Sequence, residues 1–235
     1  MTAEEPRSLQ PNNRFVSRLV HDLRASLRAV NTLPDWIVED LETVSSSVPS
    51  DVYRHLLDIK SKAERADRLI LSVREYCEID TATECHVDCD VISTIKMAIE
   101  QSALPDDFKV TLDLVDQKCN VPQKSLVRVI CLLLDNACRH HGKDVGNIHV
   151  TNNGTHGAIW VCDDGQGILE QYAEQVFEPF TTLKSQDVIE GSGFGLAIAR
   201  KYVEGWNGVL HIIEGKSFGG TSIEISLPEQ THYTS

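Results

Sequence analysis

The stretch Leu133-Leu134-Asp135-Asn136-Ala137-Cys138-Arg139-His140 decides the fold, because three more motifs follow it in order. They are Asp163-Asp164-Gly165-Gln166-Gly167, then Phe177-Glu178-Pro179-Phe180, then Gly191-Ser192-Gly193-Phe194-Gly195-Leu196. Each motif alone is weak evidence, since Asp-Gly pairs are common in turns and glycine clusters precede helices in several kinds of phosphate site. Four motifs in this order predict a nucleotide site.

Helices and strands interleave around these motifs. Period-2 patterns predict strands, and 3.6-residue patterns predict helices. The predicted strands are 87–91, 110–115, 148–152, 158–162, 209–213 and 221–227, and the predicted helices are 92–104, 123–140 and 198–206. Asn153-Gly154 is a strong hairpin signal between two of the strands. This part of the chain should be an α/β sandwich, with helices on one face of a mixed sheet.

Two longer helices are predicted upstream. The first carries an apolar stripe, and Pro34 within it should kink or locally break the helix. The second carries a heptad seam over more than three repeats. The stripe residues are Phe15, Leu19, Leu23, Leu27, Val30 and Ile37 in the first helix, and Val52, Leu56, Ile59, Ala63, Ala66, Ile70, Val73 and Cys77 in the second. An antiparallel hairpin is too small to form a sufficient core, so a second copy should complete a four-helix bundle. The stripes could instead pack on the rest of the same chain.

The expected fold class is therefore α+β, an N-terminal helical hairpin followed by a sandwich domain. The expected boundaries are a disordered N-terminus over 1–12, a helical hairpin over 13–80, a nucleotide-binding domain over 84–228 and a tail over 229–235.

Composition excludes several other classes of protein. The net charge of -13 argues against nucleic-acid binding, which needs patches of Lys and Arg. No run approaches the ~18 apolar residues of a membrane span. The seven cysteines are scattered, as in a cytoplasmic protein with reduced thiols. Cys85-His86-Val87-Asp88-Cys89 resembles half a metal site, but no second Cys/His pair matches it, so a zinc site is not expected.

Residues 84–228 resemble the ATP-binding domain shared by sensor histidine kinases, type II topoisomerases, the chaperone Hsp90 and mismatch-repair MutL. The four motifs above carry this resemblance. Residues 14–78 resemble the dimerisation and phosphoacceptor hairpin of histidine kinases, because Arg18–Leu27 matches their phosphoacceptor box. The resemblance covers nearly the whole chain beyond the first dozen residues.

The resemblance implies roles in binding ATP and Mg²⁺. Asn136 would be a magnesium ligand, because Mg²⁺ accepts neutral amide oxygens alongside water and phosphate. Arg139 and His140 lie one turn further and can meet phosphate oxygens. Asp163 would accept a hydrogen bond from the adenine amino group, and Gly165 and Gly167 would allow close backbone approach.

The last two motifs would border a mobile lid over residues 181–190. The glycines of the last motif, Gly191, Gly193 and Gly195, precede a helix that begins near Leu196, and its first amides suit a phosphate. Phe177 and Phe180 should anchor the lid by burial. Lys184 could reach a terminal phosphate or could be a solvated lid lysine.

His21 would be the phosphorylated group, and Asp22 would orient its ring or take up its proton. His21 is two residues from both Leu19 and Leu23, about 200° round the helix from each, so it should point away from the stripe. Arg24 could steady the transferring phosphoryl group or simply be solvated.

Three positions depart from the family pattern. Leu132 stands where many histidine kinases have a second Asn, and Ser26 stands where a Pro is usual. Ala25 replaces the Thr or Asn that orients a water in kinases that also dephosphorylate their partner, so weak phosphatase activity is expected.

The leading hypothesis is a cytoplasmic, homodimeric histidine kinase core that transfers a phosphoryl group from ATP to His21 and then to an Asp of a response regulator. A sensor would be a separate protein or a missing part of a longer chain. The alternatives are a non-catalytic phosphotransfer adaptor that kept the fold, an ATP-gated clamp, and a serine kinase of the anti-sigma type.

Overall fold

The computed structural model describes residues 11–43, 48–79, 85–152, 157–183, 192–213 and 219–228. They form two compact units, divided between Glu78 and Ile79. Predictions for the termini, for the turn residues 153–156, and for Lys184 and Gly191 lie outside the described residues.

The first unit is a helical hairpin of α1 (Pro11–Thr43) and α2 (Ser50–Glu78). The helices contact each other through positions that include Val20 and Pro34 of α1 and Leu56 and Ala63 of α2. α1 continues through Pro34, so the predicted local break is wrong. Pro34 is buried in the helix contact, and packing of this kind offsets the lost backbone hydrogen bond.

Ion pairs between α1 and α2 stabilise the hairpin. Arg24 donates through Nε and Nη2 to the two carboxylate oxygens of Asp67, at 2.6 and 3.2 Å. The Asp67 carboxylate raises the pKa of Arg24 by this hydrogen bond. Lys60 of α2 donates to Asp35 of α1 at 2.8 Å. Arg24 therefore joins the two helices, a role that the sequence did not suggest.

The predicted stripe of α1 lies mainly on the outer side of the hairpin. Leu19, Leu23, Val30 and Ile37 are each between 40% and 46% exposed. The α1 positions with the least exposure are shifted by one residue and include Val20 and Arg24. α1 thus has two neighbouring seams, one against α2 and one facing outward.

The second unit is a two-layer sandwich. Its main sheet has five strands, ordered β2-β4-β5-β7-β6, and only the β2–β4 pair is parallel. The strands are β2 (Phe108–Asp113), β4 (Gly146–Thr151), β5 (Ala158–Asp163), β6 (Val209–Ile212) and β7 (Ser222–Ser226). The second layer holds α3 (Val91–Gln101), α4 (Gln123–His140) and α5 (Gly195–Gly205), with α4 in contact with both others. The mixed sheet and its helices confirm the predicted fold class.

A small two-stranded sheet pairs β1 (Val87–Asp90) with β3 (Lys118–Val121) in antiparallel register. The sequence analysis missed β3. Asp90 ends β1 and caps α3, because its carboxylate accepts from the N–H groups of Ile92 and Ser93. Short 3₁₀ turns at Glu170–Tyr172 and Gln175–Phe177 follow β5. Within the described residues, no helix combines the length and the apolar character that a membrane span needs.

Candidate functional site

Asp163 lies at the end of β5, where its side chain is buried. Two backbone N–H groups donate to its Oδ1, from Gly165 at 2.9 Å and from Thr221 at 3.1 Å. Burial raises the pKa of Asp163, and the donors from Thr221 and Gly165 oppose that rise. The carboxylate is therefore held in one orientation in a place with little water, as an acceptor for a ligand's amino group would be.

Two glycines make room for this carboxylate. A Cβ at Gly165 would lie 2.9 Å from Asp163 Oδ1 and 3.0 Å from the backbone of His141. A Cβ on Gly220 would overlap Asp163 Oδ1 and the Gly165 nitrogen. Sequence reasoning missed Gly220 and Thr221 as site residues. The signal available for Gly220 was the Gly219-Gly220 pair directly before the predicted strand 221–227.

The loop after Asp163 is tied to the end of α4 by a buried histidine. His141 is 1% exposed, and its Nε2 lies 2.6 Å from Asp164 Oδ1. Asp164 also accepts from the Asn147 backbone N–H at 2.8 Å and from its side-chain amide at 2.7 Å. These contacts with Asn147 and His141 hold the pKa of Asp164 well below its usual range. The network connects β4, β5 and α4 beside Asp163, and the sequence did not indicate it.

Asn136 lies on α4, partly exposed, while Leu132 one turn earlier is buried. The residue that replaces the second Asn of the family is thus part of the core. Arg139 donates through Nε to both carboxylate oxygens of Asp135, at 2.7 Å each. Arg139 would have to exchange this partner to meet a phosphate.

These residues fit a magnesium ion that is mainly held by nucleotide and water. Asn136 offers one neutral oxygen, and Leu132 offers none. The described residues contain no group of three or more His, Cys, Asp or Glu side chains placed to hold a metal. Mg²⁺ in nucleotide sites commonly keeps waters and phosphate oxygens around one or two protein ligands.

Gly193, after the predicted lid, lies against Phe180 and Thr181 at its start. A Cβ on Gly193 would be 2.9 Å from the carbonyl carbon of Phe180 and 3.1 Å from the oxygen of Thr181. Gly193 also has a φ of 69°, a conformation that side chains rarely adopt. Position 193 therefore requires glycine, because any side chain there would collide with this backbone.

Phe177 and Phe180 differ in burial. Phe177 is buried, and the guanidinium carbon of Arg200 lies 3.8 Å from its ring centroid. Phe180 is 62% exposed, so the prediction that it anchors the lid by burial is wrong. Phe180 has a φ of 65°, and its ring makes an edge-to-face contact with the ring of Phe194, at 4.6 Å between centroids.

α5 begins at Gly195, and Leu196 in its first turn is buried. The N-cap residue is Phe194, and its side chain makes no capping hydrogen bond to this helix. The first amides of α5 can therefore donate to an anion.

His21 lies on α1 in the first unit. Its side chain is 76% exposed, in agreement with the prediction that it points to solvent. Its Nδ1 lies 3.1 Å from Asp22 Oδ1. When Nδ1 carries the proton and donates it to Asp22, Nε2 presents its lone pair to solvent.

Comparison with known proteins gives the family. Residues 121–231 match the family described as histidine kinase-, DNA gyrase B-, and HSP90-like ATPases. The signal transduction histidine-protein kinase/phosphatase MprB of Mycobacterium avium is 27% identical over 222 residues, covering 92% of this chain and 42% of that protein. The chain is similar to the sensor histidine kinases over 92% of its length. It spans less than half the length of these MprB relatives.

Solved structures agree with this assignment. A mycobacterial sensor histidine kinase MprB structure is 25% identical, with a TM-score of 0.53, over 61% of this chain and 97% of that one. Full-length ShkA, crystallised with AMPPNP, has a TM-score of 0.65 at 15% identity, over 92% of this chain and 46% of that one. The second likeness concerns the fold alone, and it extends over both units of this chain.

Proposed function

We propose that this chain is the ATP-dependent catalytic core of a two-component histidine kinase, phosphorylated on His21. The observation that carries the proposal is the exposed imidazole of His21, with Asp22 at its Nδ1, in a chain that also contains a domain of the ATPase family. The phosphoryl group then passes to an Asp of a response regulator. This partner and a cytoplasmic location are part of the same proposal.

The protein binds the nucleotide mainly through its adenine and its phosphates. Asp163 accepts from the adenine amino group, because its carboxylate is buried and already fixed by two donors. The amides at the start of α5 bind phosphate oxygens, since the first N–H groups of a helix have no partner within the helix. Arg139, His140 and Lys184 supply further charge near the phosphates, and Phe180 covers the nucleotide with the lid. The remaining residues of the proposed site are Gly191, Gly193, Gly195 and Leu196, which follow the lid, with Gly165 and Gly167 beside the adenine.

The chemical step is an in-line transfer. Nε2 of His21 attacks the γ-phosphorus, a new P–N bond forms, and the bond from the γ-phosphorus to the oxygen that leaves with ADP breaks. Asp22 holds the Nδ1 proton and stabilises the imidazolium charge as it develops. Asn136 would hold a Mg²⁺ ion, which would neutralise charge on the phosphates. Positioning provides most of the catalysis in such a reaction.

We also propose that a second copy covers the outer seam of α1. Its apolar side chains include Leu19, Leu23, Val30, Leu33 and Ile37, each 40–47% exposed, at helical spacings of four, seven, three and four residues. A continuous apolar face of this length on a two-helix unit suits a four-helix bundle. Leu23→Asp should convert the dimer to a monomer in light scattering. Val209→Asp should not, since Val209 is an exposed apolar residue of the other unit, at 56% exposure against 44% for Leu23. A dimer that survives the change at Leu23 and a second change at Leu33 would contradict this arrangement.

The proposed activity is tested with γ-labelled ATP. The wild type should gain an acid-labile, base-stable label, as expected of a phosphohistidine. His21→Gln should abolish the label and leave nucleotide affinity nearly unchanged, because His21 lies in the other unit from Asp163. His55→Gln is the matched control, since His55 is an exposed histidine on the neighbouring helix. Label that persists in His21→Gln would refute the proposal.

A further inference from the structure

Cys89 and Cys119 face each other across the small sheet. They are directly opposite partners in the antiparallel register of β1 and β3. Their sulfur atoms lie 3.3 Å apart, and both side chains are buried, at 5% and 2% exposure. The proposed kinase reaction does not use either thiol.

The geometry of this pair suits a covalent link. Directly opposite residues of antiparallel strands have Cα atoms about 4.5 or 5.5 Å apart. Disulfides span Cα separations of about 4.4–6.8 Å, so the backbone already fits one. The sulfurs need to approach by only about 1.3 Å to reach the bond length of about 2 Å.

We propose that Cys89 and Cys119 are an oxidation site, which a small peroxide converts to a reversible disulfide between β1 and β3. This inference is independent of the proposed kinase activity.

Cys89 is the attacking group of the pair. The hydrogen bond from the Cys119 thiol lowers the pKa of Cys89, whereas the same contact and burial raise the pKa of Cys119. The Cys89 thiolate attacks one peroxide oxygen, the O–O bond breaks, and hydroxide leaves and is protonated to water. The Cys119 sulfur then attacks the Cys89 sulfenic acid. The S–S bond forms, the Cys119 proton leaves with the sulfenic oxygen as a second water, and the pair has lost two electrons to the peroxide.

Burial makes the site selective for a small oxidant. Cys85, just before β1, is exposed, so bulky alkylating reagents should reach it first. The pair is reached by small molecules or by local opening of the two-stranded sheet. Once one of its sulfurs is oxidised, the partner sulfur is already in contact, which favours the disulfide over further oxidation.

The disulfide would join the segments that lead into the N-termini of α3 and α4. Cys89 immediately precedes Asp90, the N-cap of α3, and Cys119 lies in the strand that leads into α4. Closing a loop of about 30 residues should raise the melting temperature of the oxidised protein by several degrees.

The test treats the folded wild-type chain with hydrogen peroxide, then alkylates remaining thiols in denaturant and maps the peptides by mass spectrometry. The peptides of Cys89 and Cys119 should be joined, with a mass two hydrogen atoms lower, and dithiothreitol should separate them. Cys85→Ser should retain both the link and the higher melting temperature, and Cys119→Ser should lose both. The peptide mapping uses the wild-type protein, so its result does not depend on whether a variant folds. Separate alkylation of Cys89 and Cys119 after Cys85 has been oxidised would overturn the proposal, as would an equal rise in melting temperature in Cys119→Ser.

Discussion

Gly220→Ala should weaken ATP binding in a protein that still folds. The new Cβ would overlap Asp163 Oδ1 and the Gly165 nitrogen, and it would lie 2.5 Å from the Asp163 carbonyl oxygen. Asp163 is buried and Gly165 contributes backbone, so neither atom can move aside at little cost. The carboxylate must turn or shift out of its place.

The expected magnitude follows from the bond that is lost. A hydrogen bond to a charged group contributes about 1.5–3 kcal/mol, so loss of the adenine contact should weaken ATP binding about 10- to 150-fold. Overpacking of this kind should also cost about 1–3 kcal/mol of folding free energy. The two effects are measured separately, by calorimetric titration with ATP and Mg²⁺ and by urea unfolding of the free protein.

Gly219→Ala is the matched control. Gly219 has a φ of 96°, and a Cβ there would have nothing within 4 Å. This variant should lose stability through backbone strain and keep its affinity for ATP. Unchanged ATP affinity in a folded Gly220→Ala protein would refute the assignment of Asp163 as the adenine acceptor.

Three further predictions concern the contacts that support the site and the hairpin. His141→Leu removes the bond to Asp164 and should lower the free energy of unfolding by about 2–3 kcal/mol in urea titrations; a loss below about 0.5 kcal/mol would contradict the role of this contact. Asp164→Asn tests pH dependence. The folded pKa of Asp164 is lowered, so its ionised form stabilises the protein above the unfolded value of about 3.9, and this contribution is lost as the pH falls through the folded pKa. The gap in melting temperature between wild type and Asp164→Asn should therefore shrink below about pH 4, and a gap that widens there would oppose this reasoning. Arg24→Ala should lower the melting temperature more than Arg54→Ala, because Arg24 pairs between helices and Arg54 pairs within one exposed turn.

The regular elements were predictable where apolar periodicity was long. Helix 123–140 was predicted at its observed bounds, because its apolar residues recur at helical spacing along its whole length and pack in the core. Strand β3 was missed, since Lys118-Cys119-Asn120-Val121 has only four residues and two of them are polar. Its pairing with β1 depends on partners 30 residues away in the chain, which no local pattern reveals.

Side-chain environment was predicted only in part. His21 is exposed as predicted, but the stripe from which its direction was inferred is itself partly exposed, so helix geometry alone does not explain the outcome. The pairing of Arg24 with Asp67 was not predictable, because it depends on how α2 is aligned along α1. In the same way, the motif does not distinguish Phe177 from Phe180, yet the structure buries the first and exposes the second.

The proposed nucleotide site is largely built from backbone groups, and this explains which of its residues can be recognised in the sequence. Asp163 is fixed by the N–H groups of Gly165 and Thr221, and the start of α5 offers N–H groups of its own. Any residue except proline has such a group, so Thr221 leaves no trace in the sequence. Glycines reveal the site only where a Cβ would collide, as at Gly165 and Gly220. Gly165 was identified because it lies beside the acidic residue that it serves, whereas Gly220 lies a full strand pair away and reaches Asp163 only through the antiparallel pairing of β5 with β7.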